Sequence, residues 1–374
     1  MTETQSTYRQ EPLKVMISGG GTGGHIYPAI SIAQALQEIL QEVEILFVGA
    51  KGKMEMEKVP KAGFKIEGLW ISGIQRKLSG QNLLFPAKLF ASLLGAARLI
   101  KKFRPDVVVG VGGYASGPLL YMATKKGIPT LIQEQNSYAG LTNKLLAKSV
   151  DKICVAHDGM QKYFPEDKLV VTGNPVRKSI LLNPNRKAEA YHYFELDPRK
   201  PVLLVVGGSL GARSINEIIL AGLEKLEKEG IQLIWQCGGF YYEEMKQRMK
   251  GKESSVVLRD FIFQMEFAYG IADLVISRAG ALSIAELMLT GKPSILVPSP
   301  NVAEDHQTIN ALALVEQKAA EMIKDVEAMD RLVDEAIELL RDESRRGRLS
   351  KNIKSMSREN AAIDIATEVV KLCK

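Results

Sequence analysis

The chain has 374 residues, of which 46% are hydrophobic and 25% are charged, a composition typical of a globular protein with about two domains. Its cysteines, Cys154, Cys237 and Cys373, lie far apart and match no metal-ligand spacing, which argues against a disulfide framework and favours a reducing compartment. Residues 1–12 are polar, and no window of 18 residues is apolar and uncharged, so neither a secretion signal nor a membrane span is predicted.

Apolar runs alternate with segments of helical spacing in the first half of the chain. The predicted strands are 13–18, 43–48, 107–111, 129–133, 152–155 and 168–172, and helical spacing is found at 119–125 and 139–148. This alternation predicts a doubly wound parallel sheet.

A second alternation of the same kind follows a segment rich in turn-forming residues. Its predicted strands are 201–206, 231–236, 255–258, 273–277, 293–297 and 319–323. We therefore predict an α/β protein with two Rossmann-like domains, 1–178 and 186–354, joined by a linker at 174–200. The C-terminal segment 355–374 has helical spacing and is expected to pack back on the first domain.

Net charge is unevenly distributed along the sequence. Residues 51–104 contain 12 Lys and Arg against 3 Asp and Glu, a local balance of +9 within a total of +6. The apolar residues predicted to form a surface patch in this basic block are Ile71, Ile74, Leu78, Leu83, Leu84 and Phe85. The pattern fits two interpretations equally well: docking on an anionic membrane, or a helix packed on its own domain with solvated lysines. The lack of interleaved aromatic residues argues against nucleic acid.

The first predicted strand runs into a glycine-rich turn, Gly19 to His25, and then into a predicted helix. Glycines let the backbone approach a phosphate closely, and the helix N-terminus offers N–H groups to it. The spacing matches neither the dinucleotide fingerprint nor the Walker motif. Similar turns follow the strands at 107–111 and 201–206, and together they predict a binding crevice at the carboxyl ends of the strands.

A more specific constellation follows the strand at 273–277. Residues 278–283, most of them small, lead into a helix that is predicted to begin at 284, with Glu286 in its first turn. There Glu286 is placed to accept hydrogen bonds from a ribose, although a helix-capping role is the alternative. Beyond the next strand, Gln307 and Asn310 supply amide groups suited to sugar hydroxyls.

Six motifs are distributed over most of the chain. They are Gly-Gly-Gly-Thr-Gly-Gly-His at 19–25, Gly-Val-Gly-Gly-Tyr at 110–114, Gln-Glu-Gln-Asn at 133–136, Gly-Asn-Pro-Val-Arg at 173–177, Gly-Gly-Ser-Leu-Gly-Ala at 207–212 and the block 277–310. With them the chain resembles nucleotide-sugar glycosyltransferases of GT-B architecture, whose two Rossmann-like domains face each other across a cleft. Among these it is similar to the bacterial enzymes that transfer N-acetylglucosamine from UDP to undecaprenyl-pyrophosphoryl-N-acetylmuramoyl-pentapeptide, the last cytoplasmic step of peptidoglycan precursor synthesis.

The resemblance implies an acceptor- and membrane-binding first domain, a UDP-sugar-binding second domain, and peripheral attachment to the cytoplasmic face of the cell membrane. It also implies contacts with cell-wall or division proteins. The positions that match donor-binding positions of the family are Thr22, Gly23, Gly24, Asn136, Arg177, Ser209, Ile262, Ala281, Leu282, Ser283, Ile284, Ala285, Glu286, Gln307 and Asn310.

The expected reaction is an inverting hexosyl transfer without cofactor or metal, since the sequence has no Asp-x-Asp motif and amide dipoles can stabilise the leaving diphosphate. His25 is the candidate base, because its reference pKa of about 6.5 suits proton transfer at neutral pH. The alternatives are that His25 caps the helix or orients the acceptor, and that Glu134 is the base. Two other functions stay open: a diacylglycerol glycosyltransferase of the same fold, and a non-catalytic nucleotide-sugar-binding scaffold.

Overall fold

The computed structural model describes residues 11–73, 84–208, 210–251, 255–302 and 305–373. The described residues form two compact units, which lie within residues 1–175 with 360–374 and within residues 176–359. The predicted boundary at 178 thus lies close to the division at Pro175, while residues 176–200, predicted as a linker, belong to the second unit.

The first unit contains a parallel sheet with the strand order β3-β2-β1-β4-β5-β6-β7. Its strands are β1 Leu13–Ser18, β2 Val43–Ala50, β3 Lys65–Leu69, β4 Val107–Gly110, β5 Thr130–Glu134, β6 Lys152–Val155 and β7 Leu169–Val171. Its helices are α1 Gly23–Ile39, α2 Glu55–Lys61, α3 Phe85–Phe103, α4 Ser116–Lys125, α5 Leu141–Leu146 and, after the second unit, α14 Ala361–Lys371. Short 3₁₀ turns lie at Met160–Lys162 and Glu166–Lys168.

The second unit also contains a parallel sheet, with the strand order β10-β9-β8-β11-β12-β13. Its strands are β8 Val202–Val206, β9 Gln232–Gln236, β10 Val256–Arg259, β11 Leu274–Ser277, β12 Ser294–Leu296 and β13 Glu321–Met322. Its helices are α6 Lys187–Phe194, α7 Arg213–Lys228, α8 Tyr242–Arg248, α9 Met265–Ile271, α10 Ala281–Thr290, α11 His306–Glu316, α12 Ala328–Arg341 and α13 Glu343–Ser355. Two 3₁₀ turns, Lys178–Ile180 and Pro184–Arg186, precede α6.

Each sheet is apolar on both faces, because neighbouring residues of its central strands point into different cores. In β1, Val15 and Ile17 belong to one core and Met16 to the other. In β8, Leu203 and Val205 face one core, while Leu204 faces the core that also contains Phe194 of α6. This arrangement explains why the central strands are continuous apolar runs in the sequence. It also shows why the segment around α6 is part of a domain rather than a linker.

The last helix, α14, packs along α1 of the first unit. Ile365, Ala366 and Val369 of α14 are fully buried in the core that contains β1 and α1. The chain therefore leaves the first unit after Pro175 and returns to it at Asn360.

Candidate active site

The glycine-rich turns lie at the point where the strand order of each sheet reverses. In the first unit they follow the neighbouring strands β1 and β4, and in the second unit the turns before α7 and α10 follow the neighbours β8 and β11. Parallel α/β sheets bind ligands at such reversal points, beyond the carboxyl ends of the strands. Each unit therefore carries a candidate ligand site of its own.

Close backbone packing holds the two turns of the first unit together. The Gly20 N–H donates to the Gly112 carbonyl at 3.3 Å, and Gly21, Gly112 and Gly113 all have positive φ. A Cβ on Gly113 would collide with the Gly20 carbonyl oxygen. Glycine is required here for both conformation and space.

Helix α1 begins at the end of this first turn. Gly23 and Gly24 lie in its first turn, where N–H groups have no acceptor within the helix. Thr22, the residue before them, is exposed and makes no capping hydrogen bond with its side chain. The predicted contact residues Thr22, Gly23 and Gly24 thus form a helix N-terminus suited to an anion.

The His25 ring is fixed in one tautomer by its neighbours. Its Nδ1 lies 3.1 Å from the Gly20 carbonyl oxygen and 3.4 Å from Thr22 Oγ1. Since a carbonyl oxygen only accepts, Nδ1 carries the proton and Nε2 carries the lone pair of the neutral ring. A Cβ at Gly112 would lie 2.8 Å from Nε2, so a glycine at this position gives the ring its space.

Both carboxylate oxygens of Glu134 accept hydrogen bonds from residues that follow β5. One carboxylate oxygen accepts from the backbone and side-chain nitrogens of Asn136 at 3.1 and 3.3 Å, and the other accepts from the Gly140 N–H and the Asn143 amide, both at 2.9 Å. A proton on this buried carboxylate would break part of that set. The geometry therefore argues against Glu134 as the base and makes it the support of Asn136.

In the second unit, α7 begins at Arg213 and α10 at Ala281, so two helix N-termini lie at the carboxyl ends of adjacent strands. Gly208 and Gly211 have positive φ in the turn before α7, and a Cβ on Gly211 would collide with the Cys237 carbonyl oxygen. Ser209 lies outside the described residues. In α10 the predicted Ala281 and Ile284 are buried, whereas Leu282, Ser283 and Ala285 keep part of their surface accessible.

Because α10 begins at Ala281, Glu286 lies in its second turn rather than in the predicted first turn. The residue is half-buried, and its carboxylate is surrounded largely by protein. Its Oε2 accepts a hydrogen bond from the Tyr269 hydroxyl at 3.1 Å. Burial raises the pKa of Glu286 to about 7, opposed by the Tyr269 hydrogen bond and by the positive charge of Arg177. Arg177 is exposed and belongs to the second unit, although the predicted boundary placed it in the first domain. The carboxylate can change its protonation state near neutral pH.

Three further residues predicted to contact the donor already make hydrogen bonds within the protein. The Ile262 N–H donates to the buried Gln236 side chain at 2.8 Å, so any contact between the backbone of Ile262 and a base falls to its carbonyl. Gln307 accepts from the Ser299 N–H at 2.9 Å, which orients the NH₂ of the same amide group for donation. Asn310 is fully buried and donates to the Ala279 carbonyl at 3.3 Å, so it braces the turn before α10 from within the domain.

The structure describes three of the six residues predicted to form a membrane patch. Ile71 is 6% exposed and belongs to a core cluster, so its assignment to a surface was wrong; the strand β3 before it brings its side chain under α3. Leu84 is exposed and Phe85 is half-buried, while Ile74, Leu78 and Leu83 lie outside the described residues. Sequence reasoning missed the outer stripe of α3, where Phe90 is 65% and Leu94 45% exposed.

Two residues next to the site were not identified from the sequence. Glu55 is buried beneath the first glycine turn, and Tyr269 contacts Glu286 from α9. Each pairs with a partner distant in sequence. Within the described ranges we find no group of three or more His, Cys, Asp or Glu residues that could hold a metal ion, and no helix whose length and apolarity would let it cross a membrane. A metal-independent reaction stays a prediction.

Comparison with known proteins shows which protein family the chain resembles. Residues 15–155 match the glycosyltransferase family 28 N-terminal domain and residues 202–369 match its C-terminal domain. Both lobes of a glycosyltransferase are thus present. The chain is 54% identical to the UDP-N-acetylglucosamine–N-acetylmuramyl-(pentapeptide) pyrophosphoryl-undecaprenol N-acetylglucosamine transferase of Cytophaga hutchinsonii, over 97% of this chain and 98% of that one. The enzyme of the same name from Parabacteroides distasonis is 53% identical over 96% and 98%.

Solved structures of other proteins also match this chain. The crystal structure of Acinetobacter baumannii MurG has a TM-score of 0.75 and 28% identity, and covers 96% of this chain and 100% of that one. A UDP-GlcNAc 2-epimerase from Neisseria meningitidis, at 15% identity, TM-score 0.70 and coverage of 96% and 100%, shares the fold alone. The chain belongs to glycosyltransferase family 28, among the UDP-N-acetylglucosamine–N-acetylmuramyl-(pentapeptide) pyrophosphoryl-undecaprenol N-acetylglucosamine transferases. The resemblance and the two-domain α/β fold predicted from the sequence are confirmed.

Proposed function

We propose that this protein transfers N-acetylglucosamine from UDP-N-acetylglucosamine to the C4 hydroxyl of undecaprenyl-pyrophosphoryl-N-acetylmuramoyl-pentapeptide, with inversion at the transferred carbon. The observation that carries the proposal is the near-full-length identity with enzymes named for this transfer. The site geometry of each unit supports it, because both units keep their glycine turns and helix N-termini at the carboxyl ends of the central strands.

The second unit supplies the donor site in this proposal. The N-termini of α7 and α10 bind the diphosphate, and their N–H dipoles stabilise the charge that builds on UDP as it leaves. The Glu286 carboxylate accepts from the ribose hydroxyls, the Ile262 carbonyl faces the uracil, and the Gln307 amide donates to the sugar. Thr22, Gly23, Gly24, Asn136, Arg177 and Ser209 remain predicted donor contacts.

The first unit supplies the base. Inversion requires a single in-line displacement: the acceptor oxygen forms its bond to the sugar carbon as the bond from that carbon to the UDP oxygen breaks. The His25 Nε2 lone pair takes the hydroxyl proton, because the Nδ1 proton is held by the Gly20 carbonyl. The electron pair of the broken bond leaves on UDP.

A transfer assay tests the function. With radiolabelled UDP-N-acetylglucosamine and a short-chain polyprenyl-pyrophosphoryl-muramoyl-pentapeptide, we expect label to enter the lipid product and UDP to be released in equal amount. Diacylglycerol as acceptor serves as the control and should remain unlabelled. Binding of the nucleotide sugar without transfer would overturn the proposal in favour of a scaffold.

We propose further that the protein works as a peripheral protein at the cytoplasmic face of the membrane, where its lipid acceptor is held. The outer stripe of α3 offers the contact. Leu84 is exposed just before this helix, Phe90 and Leu94 are exposed within its first ten residues, and the basic residues Arg98, Lys101 and Lys102 are exposed towards its end. An apolar contact flanked by positive charge suits an anionic bilayer, at about 1 kcal/mol per basic residue.

The triple variant Leu84→Ser/Phe90→Ser/Leu94→Ser is expected to bind anionic vesicles at least about 1000-fold more weakly, since each side chain contributes about 1.5–3 kcal/mol when buried in lipid. Co-sedimentation with phosphatidylglycerol vesicles measures the loss, and transfer to a water-soluble acceptor should be kept. The matched control is Val326→Ser/Met329→Ser, which removes exposed apolar side chains from the second unit. Unchanged sedimentation of the triple variant would contradict the assignment.

A further inference from the structure

A single peptide group links a buried carboxylate to the His25 ring. The Gly21 N–H donates to Glu55 Oε2 at 2.9 Å. The carbonyl of the same peptide, that of Gly20, accepts from His25 Nδ1 at 3.1 Å. The carboxylate, the amide and the imidazole therefore form one continuous hydrogen-bonded chain.

Glu55 is held firmly at the start of this chain. It is the first residue of α2 and is 1% exposed. Its second oxygen, Oε1, accepts from the Ala50 N–H at the end of β2 at 3.0 Å. A Cβ on Gly49 would lie 2.6 Å from the Glu55 side chain, and a Cβ on Gly20 would collide with its carboxylate. Two glycines thus make room for this carboxylate directly beneath the turn.

The arrangement has two physical consequences for the ring. Hydrogen bonds in a chain polarise one another, on the order of 10–30% per bond, so a carboxylate on the N–H makes the carbonyl a stronger acceptor. That carbonyl then fixes the Nδ1–H tautomer and the ring orientation. When Nε2 takes up a proton, the negative charge beyond the peptide stabilises the imidazolium. In serine hydrolases a carboxylate bonded directly to the ring performs the same tasks.

We propose that Glu55 is a positioning residue for His25, acting through the Gly20–Gly21 peptide. The inference rests on the proposed role of His25 as base. Glu55 has no contact with substrate in this scheme; it orients the ring and supports its positive charge during the reaction.

Other ionisable groups lie on the elements around α1. Tyr114 follows β4 and lies over the turn at Gly21. The helix α14 contributes Asp364, Glu368 and Lys371, and α2 contributes Glu57, Lys58 and Lys61 beside Glu55. Glu57 is exposed and is paired with Lys61 at 2.7 Å. It therefore offers a matched control on the same helix.

The variant Glu55→Gln tests the proposal. It keeps the size of the side chain but removes the charge, and its NH₂ group cannot accept from one of the two N–H groups. We expect kcat of the transfer reaction to fall about tenfold to hundredfold, the size of loss that follows removal of the outer hydrogen-bond partner of a metal-bound histidine. KM for UDP-N-acetylglucosamine should change less than threefold, and the acid limb of the pH–rate profile should move to lower pH. Glu57→Gln should behave as wild type.

A double-mutant cycle separates this inference from the proposed function. In a His25→Ala background, Glu55→Gln should cost no further kcat, because its route to the reaction is lost. If His25→Ala leaves kcat unchanged, the base assignment fails. Suppose instead that His25→Ala lowers kcat. The positioning role then fails if Glu55→Gln alters neither kcat nor the pH profile. It also fails if Glu55→Gln lowers kcat equally in the wild-type and His25→Ala backgrounds.

A measurement on the unmodified protein covers the case in which Glu55→Gln does not fold. Nitrogen chemical shifts of His25 at alkaline pH should report the tautomer with the proton on Nδ1. The tautomer with the proton on Nε2 would overturn the proposal, because the Gly20 carbonyl would then have no ring proton to accept.

Discussion

Replacement of His25 by alanine is expected to lower kcat by about 10²–10⁴, the usual contribution of a positioned general base. Affinity for UDP should stay within about twofold of wild type, because most of the contacts proposed for UDP, at α7, α10 and Ile262, lie in the second unit. The reason lies in the ring geometry: Nδ1 is bonded to the Gly20 carbonyl, so Nε2 has the lone pair that accepts a proton. Steady-state transfer kinetics and calorimetric titration with UDP measure the two quantities.

His192→Ala is the matched control, since His192 is an exposed histidine on α6. It should leave both kcat and UDP affinity unchanged. Equal losses of turnover and nucleotide affinity in His25→Ala would contradict the base role and favour a structural role for the ring.

The second large effect concerns Glu286. We expect Glu286→Gln to weaken binding of UDP-N-acetylglucosamine about tenfold to hundredfold, because a hydrogen bond to a charged group contributes about 1.5–3 kcal/mol. An amide of the same size has one acceptor oxygen, whereas the carboxylate can accept from both hydroxyls of a ribose. Titration calorimetry with the intact nucleotide sugar measures the affinity.

The wild-type affinity should also depend on pH. Burial raises the pKa of Glu286 to about 7 in the unliganded protein. Below this pH the carboxyl is mostly protonated and is a poorer acceptor; above it, the ionised form accepts both ribose hydroxyls. Affinity for UDP-N-acetylglucosamine should therefore rise as the pH increases from 6 and reach a plateau above about 7, with release of a proton on binding at the lower pH.

Glu286→Gln should abolish this pH dependence, whereas Glu243→Gln, at an exposed position on α8, should retain it. A flat wild-type profile between pH 6 and 8, or a glutamine variant with the wild-type profile, would show that Glu286 does not bind the ribose. Tyr269→Phe tests the direction in which the pH dependence of the affinity shifts. It removes the hydrogen bond that lowers the pKa of Glu286, so the rise in affinity should move to higher pH.

The central strands of both sheets could be predicted from the sequence because they are buried on both faces. β1 and β6 have the predicted bounds, and the glycine turns follow the strands as expected. The strand β3 was missed, since it lies at the edge of its sheet and mixes polar with apolar residues. An edge strand has one neighbouring strand and needs no continuous apolar run.

At the candidate site, the sequence does not reveal residues whose partners lie far away along the chain. Motif reading finds residues that follow a strand, such as Gly23 or Glu286. It does not find Glu55, which lies 34 residues beyond its partner Gly21, or Tyr269, which lies 17 residues before Glu286. These pairings are formed by tertiary packing. Ile71 was misassigned for a related reason, because an apolar residue in a basic segment can face either the solvent or the core.

The route of the chain has a consequence for biosynthesis. Helix α14, with Ile365, Ala366 and Val369 fully buried against the core of the first unit, leaves the ribosome after the whole second unit. The lobe that carries His25 can therefore close its core only after residues 176–359 have been synthesised, whereas that second unit can complete its core before α14 emerges. A nascent chain would fold the lobe that contains Glu286 before the lobe that contains His25.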